Sequence, residues 1–193
     1  MAELVLSPNP DVWSVVPPID HRGEAEVVAW VQQIVDQAPP HRRSAAVSAA
    51  TLALRERAGD SPSTVLLLTA SAYEVIASLS LYAFDDVPPA QDADEAARVA
   101  ERLIGGEWGL AAVDVALAGA SGWRFTSLEA APAQEGDVVS TGLTGVTLYV
   151  LECRGRCVIA LLPPLHPTVA AVAHLHAEQV LGTLDIVVEA ADA

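Results

Sequence analysis

The chain reads as an α+β protein: a mainly antiparallel, curved β-sheet packed by helices, two of them early, one in the middle and one at the C-terminus. Three observations predict it. Apolar residues recur at helical spacing between residues 23 and 58 and again after Pro167. Between Thr64 and Leu162 the period is mostly two, as in strands. Those strands follow one another with a single helix interposed, which suits antiparallel pairing better than a wound βαβ sheet. At 193 residues the chain is long enough for one domain with its own core. It divides into an extended lead-in over 1–22, a single domain over 23–188 and a frayed tail over 189–193.

The lead-in is punctuated by Pro8, Pro10, Pro17 and Pro18, with Asn9 and Asp20 favouring turns, and leaves room for one strand at 12–16. From Gly23, Val27, Val31, Ile34 and Ala38 form one stripe flanked by Trp30, while Glu26, Gln33 and Asp36 face away. Pro39-Pro40 stops that helix. A second helix over 44–58 points Val47, Ala50 and Leu54 inward and is capped by Gly59. Strands are expected over 64–69 and 73–84, the latter with Tyr73, Val75, Ala77, Leu79 and Leu81 on one covered face. Asp92, with Glu95 three residues on, opens a helix to Ile104 in the manner of a capping box, and Gly105-Gly106 closes it. Further strands follow over 110–118, 123–128, 138–152 and 157–162, with Gly142 and Gly145 as bulge points. Pro163-Pro164 should break the last of these, Pro167 should open a helix to Val180, and a final strand covers 184–188.

The stretch from Gly145 to Pro164 holds the most information. Two apolar strands flank Arg154-Gly155-Arg156, with Cys153 and Cys157 on either side. A three-residue loop would pair Cys153 with Cys157 and put Tyr149, Leu151, Cys153, Cys157, Ile159 and Leu161 on one buried face. A two-residue turn at Arg154-Gly155 is the competing register; it pairs Cys157 with Glu152 and separates the thiols. We expect the three-residue form, Arg-Gly being a weaker turn signal than Asn-Gly. The cysteines are then reduced core residues, a cross-strand disulfide or half of a metal site, although the chain holds no second cysteine pair to complete a zinc site.

All ten basic residues are Arg, facing 25 acidic residues for a formal charge of −15. With the Ala, Val and Pro richness, the missing Lys suggests a high-GC, actinobacterial-like bacterial source. Phosphate binding rests on basic side chains, so this balance argues against nucleic acid and against anionic membranes as partners. No run approaches the roughly 18 apolar residues of a membrane span. The first residues lack the basic and apolar regions of a signal peptide, so a soluble, cytoplasmic protein with reduced thiols is expected.

Catalytic and metal motifs give little. No Gly-x-Ser-x-Gly elbow occurs, and a chain without Lys cannot carry a phosphate loop that ends in one. The acidic residues Asp85, Asp86, Asp92, Asp94 and Glu95 do not follow the spacing of a calcium loop and fit better as charge at a helix N-terminus. On the last helix His176 shares a stripe with Val169, Val172 and Val180, which makes it a core histidine; His174 points the other way, toward a surface pair with Glu178. No catalytic residue, cofactor or metal ligand is assigned. A ligand pocket between sheet and C-terminal helix would be lined by Trp123, Tyr149 and His176. Arg154 and Arg156, at the hairpin tip, form a contact loop for a protein partner or a second copy of the chain.

Trp13-Ser14-Val15-Val16-Pro17 near the start, Gly122-Trp123-Arg124-Phe125 in the strand-rich middle, and Leu161-Leu162-Pro163-Pro164 before a helix and a strand give an order and texture that resemble small bacterial α+β proteins of the Mog1/PsbP type, including the LpqN-like group. The resemblance implies a binding or accessory module more than an enzyme and carries over no functional residue. The sequence reading is therefore a non-catalytic protein acting through protein contacts, with a small-ligand pocket or enzyme as the alternative.

Overall fold

A computed structural model describes residues 2–19, 23–59, 62–69, 75–104, 112–130 and 143–188. The elements are β1 (Ala2–Val5), β2 (Trp13–Val15), α1 (Glu24–Gln37), a 3-10 turn (Pro40–Arg42), α2 (Arg43–Ala58), β3 (Thr64–Leu68), β4 (Ala77–Phe84) and α3 (Ala93–Ile104), followed by β5 (Val113–Ala116), β6 (Ser121–Ala130), β7 (Leu143–Cys153), β8 (Arg156–Leu165), α4 (Pro167–Leu181) and β9 (Asp185–Val188). Seven strands form one sheet in the order β2-β3-β4-β8-β7-β6-β5, every neighbouring pair antiparallel. β1 and β9 pair antiparallel as a separate ribbon. The fold is α+β, as its periodicities indicate.

Both faces of the sheet are covered. Leu66, Leu79, Tyr149, Leu151, Val158 and Ala160 project to one side, where Ala173, Ala177 and Val180 of α4 close the core together with Leu184 and Ile186. On the other side, Val65 and Leu67 pack under Trp30 and Ile34 of α1 and Ala46, Ala50 and Ala53 of α2. Beside them, Phe125, Leu148, Val150 and Ile159 pack under Ala96, Val99 and Ala100 of α3. Double coverage corrects the single covered face expected for β4. Ser78 and Ser80, on its other side, are buried, and their small hydroxyl side chains let the alanine row of α2 come close. Residues 73 and 74 of that expected strand lie outside the described residues, as do Gly105, Gly106, Gly142 and the tail.

The helices form where the periodicity puts them, with adjusted faces. Asp36 is exposed as expected, but Trp30 and Ile34 are the deepest residues of α1, while Val27 and Val31 are half-buried. The indole N–H of Trp30 donates to Ser14 Oγ at 2.8 Å, so α1 leans on β2 and turns this face inward. In α2, Ala46, Ala50 and Ala53 replace the expected Val47, Ala50 and Leu54. Alanines allow close approach to β3, which leaves Leu54 half-buried and Val47 exposed. The Asp92 cap of α3 is present, its Oδ1 accepting from the Glu95 N–H at 2.8 Å. Glu95 Oε2 accepts at 2.8 Å from the N–H of Gln91, one residue before the cap, in place of the Asp92 N–H of a capping box.

Two expectations about β8 are overturned. The turn before it has two residues, so Cys153 pairs with Arg156 and Glu152 with Cys157. Arg154 and Gly155 both take positive φ, 49° and 76°, as required in hairpin turns whose twist matches that of their strands, and the Gly155 N–H donates to Glu152 Oε1 at 2.6 Å. This local bond compensates for the non-glycine residue in the first left-handed position. Nor do Pro163 and Pro164 end the strand. Gly145 pairs with Leu165 and Thr147 with Leu162, so the two prolines lie opposite Val146 in a bulge, past the last β4 pair at Ser80 and Leu161. Neither proline is asked for a ladder N–H there. The lead-in contributes β1, which the sequence pattern does not reveal, because four residues that pair only with the chain's end leave no periodic signal.

Gly122 and Gly155 separate close packing from turn strain. A Cβ at Gly122, φ 155°, would be driven into the carbonyl oxygen of Val150, whereas one at Gly155 meets nothing within 4 Å. Gly122→Ala should therefore destabilise by about 2–4 kcal/mol and Gly155→Ala by only about 1 kcal/mol. Urea unfolding of the two variants measures the difference.

Candidate functional site

The structure does not bring together the three residues expected to line a pocket under α4. Trp123 pairs with Val150 and lies on the α3 side of the sheet, whereas Tyr149 pairs with Arg124 and faces α4. Adjacent strand positions point to opposite faces, so Trp123 and Tyr149 cannot line one pocket. His176 is buried, with Nδ1 3.2 Å from Gln179 Oε1, beside the half-buried Val169 and Val172 and the buried Val180. It is His174 and Glu178, not His176, that α4 turns toward the strand of Tyr149.

Those two residues build a polar seam between α4 and the β6–β7 pair. His174 Nε2 lies 2.7 Å from Thr147 Oγ1, which lies 3.3 Å from Thr126 Oγ1 on the paired strand. Four residues along the helix, Glu178 forms an ion pair with Arg124 and accepts from the Tyr149 hydroxyl at 3.5 Å. Arg124 faces Tyr149 and Thr126 faces Thr147 across the ladder, so two cross-strand pairs meet one i,i+4 pair. The surface pairing of His174 with Glu178 is thereby corrected: each side chain turns to the sheet. Burial, aided by the Arg124 charge and opposed by Glu178, lowers the His174 pKa and keeps the ring neutral near pH 7. Burial, with Glu178 adding, raises the Tyr149 pKa, so its hydroxyl remains a donor. The seam fixes helix to sheet and holds its polar atoms in mutual hydrogen bonds.

An open cleft lies on the opposite face, where the end of α2 stands over β4 and β8. It measures about 340 Å³ and is lined by Arg55, Glu56, Gly59, Ser80, Tyr82, Leu161 and Pro163. Tyr82, Leu161 and Pro163 give it a half-buried floor. Glu56 reaches in from α2, its Oε2 3.4 Å from the hydroxyl of the buried Ser80. Sequence reading missed this site, although the alternation of β4 already placed Ser80 and Tyr82 together. Placing Glu56 beside them required the alanine register of α2.

The remaining candidates serve structure. Arg154, at the hairpin tip, pairs with Asp185 of β9, its Nη2 3.0 Å from Oδ2, and Arg156 pairs with Asp85 after β4. The contact loop therefore presents neutralised arginines. Cys153 and Cys157 belong to clusters on opposite faces, which rules out a bond or a shared metal ion between them and corrects the shared face expected above. Burial pushes the Cys157 thiol up to about 11 and raises that of Cys153, with Asp185 and Glu152 adding to the latter. Among the described residues no group of three or more His, Cys, Asp or Glu is placed to hold a metal, and no helix is long and apolar enough to cross a membrane.

Comparison with protein-family models, curated proteins and solved structures returned no match.

Two outcomes follow from the burial of these groups. Both thiols should resist a disulfide reagent at pH 8 in the native protein and react in urea, because the thiolate is the reactive form; prompt native labelling would contradict their placement. His174, whose folded pKa lies below the unfolded value of 6.5, supplies stability present above that value and lost as pH falls toward the folded one. The urea midpoint should drop from pH 7.5 to pH 5.5 by a larger amount in the wild type than in His174→Gln; equal drops would remove His174 from the account.

Proposed function

We propose that the chain is a non-catalytic binding or accessory protein, cytoplasmic, which works through contacts with a basic protein partner. One observation carries the reading. The tip arginines Arg154 and Arg156 are neutralised within the molecule, so the acidic excess of the chain is displayed, with Glu24, Glu26, Asp36, Asp86, Asp92 and Asp94 all exposed. Such a surface steers basic partners and repels nucleic acid and anionic lipid. The order and texture shared with Mog1/PsbP-type proteins agree with an accessory role.

The missing lysine makes this testable without knowing the partner. A carbodiimide joins carboxylates to amines, and these 193 residues hold no lysine side chain, so a lysine linked to one of their carboxylates lies outside this sequence. Cross-linking in the source cells should yield one recurrent protein, joined through the exposed carboxylates and lost at high salt. Links that scatter over many proteins, or run only to a second copy of the protein, would contradict a dedicated basic partner.

A second reading, a small-ligand protein, is favoured by the cleft between α2 and the β4–β8 pair, whose size falls in the range of ligand sites. It moves the expected pocket from the α4 side of the sheet to the opposite face.

A further inference from the structure

We infer that the cleft takes a small zwitterion with an apolar body, of the class of amino acids with large apolar side chains; this rests on the small-ligand reading just given. The wall supplies opposite charges on consecutive residues, Arg55 and Glu56, and such a pair matches a net-neutral ligand whose own charges lie a few ångströms apart. The cationic end belongs at Glu56. This carboxylate is half-buried and anchored over Ser80 Oγ, and it stands in the last turn of α2, where the helix dipole presents its negative end. The anionic end belongs at Arg55, the arginine among the described residues that line the cleft, an exposed residue whose guanidinium is geometrically suited to a carboxylate. Between these groups and the sheet, Tyr82, Leu161 and Pro163 form the floor on which an apolar body would lie. A volume of about 340 Å³ accommodates one molecule of this size and is too small for a helix about 10 Å across.

The experiment uses the full chain with three probes: L-phenylalanine, 3-phenylpropionate, which lacks the ammonium, and 2-phenylethylamine, which lacks the carboxylate. Titration calorimetry measures affinity, and chemical shifts of Gly59, Tyr82 and Leu161 report where each probe sits. Phenylalanine should bind with shifts at all three residues, and each single-charge probe should bind roughly tenfold or more weakly. Arg55→Gln should abolish the preference for phenylalanine over the amine, and Glu56→Gln the preference over the acid. If one of the single-charge probes binds in the cleft as well as phenylalanine does, the cleft is a ligand site and the zwitterion assignment is wrong. If none of the three moves those resonances at millimolar concentration, the small-ligand reading falls with it. The probe comparison needs no variant, and Arg55 is exposed, so a folding defect in Glu56→Gln leaves the outcome decided.

Discussion

The register of the β7–β8 hairpin decides where nearly every other group in the molecule sits. These strands occupy the centre of the sheet, with β4 on one flank and β6 on the other, and both of their faces are buried. Sliding the pairing by one residue would exchange the faces of one strand relative to the other, delivering Cys157 and Ile159 to α4 and Val158 and Ala160 to α3. The two-residue turn with consecutive positive φ angles at Arg154 and Gly155 prevents that slip. Three side chains reinforce it: Glu152 bonds the turn, while Arg154 and Arg156 tie it to β9 and to the end of β4. Such exposed ion pairs contribute little stability individually, so their value here is geometric.

From that register the functional geography follows. The face carrying Tyr149 and Thr147 receives α4 through the polar seam, and its hydrogen-bonding capacity is used in docking the helix. On the opposite face the chain has two helical layers of different width, α1–α2 over β3 and α3 over the β6–β7 region. The cleft lies where the last turn of α2 stands over β4 and β8. Its polar groups come from the flank of α2 and from the β4 hydroxyls.

Elements were legible wherever a signal was local and repeated. The stripe of α1, the Asp92 cap of α3, Pro167 at the start of α4 and the alternation of β4 and β7 each name an element through neighbours a few residues apart. Three things were not legible. The hairpin register hinged on whether Arg154 would accept a left-handed conformation, and the compensating bond from Glu152 shows only in three dimensions. The inward face of α2 depended on how closely a helix can approach β3, which favours Ala53 over the more apolar Leu54. The site is the least visible of all: Trp123, Tyr149 and His176 share a chemical type, but strand parity separates the first two, while Ser80 and Tyr82 of β4 are met by Glu56 from a helix 24 residues before Ser80.

Cross-strand proton contacts test the central register most directly. In the two-residue turn, Glu152 and Cys157 form a non-hydrogen-bonded pair, whose Hα atoms approach closely. A nuclear Overhauser spectrum should show a strong Hα–Hα contact between Glu152 and Cys157 and another between Val150 and Ile159. Contacts that pair Cys153 with Cys157 and Leu151 with Ile159 would contradict the register, and with it the separation of the thiols and the assignment of the seam and the cleft to opposite faces.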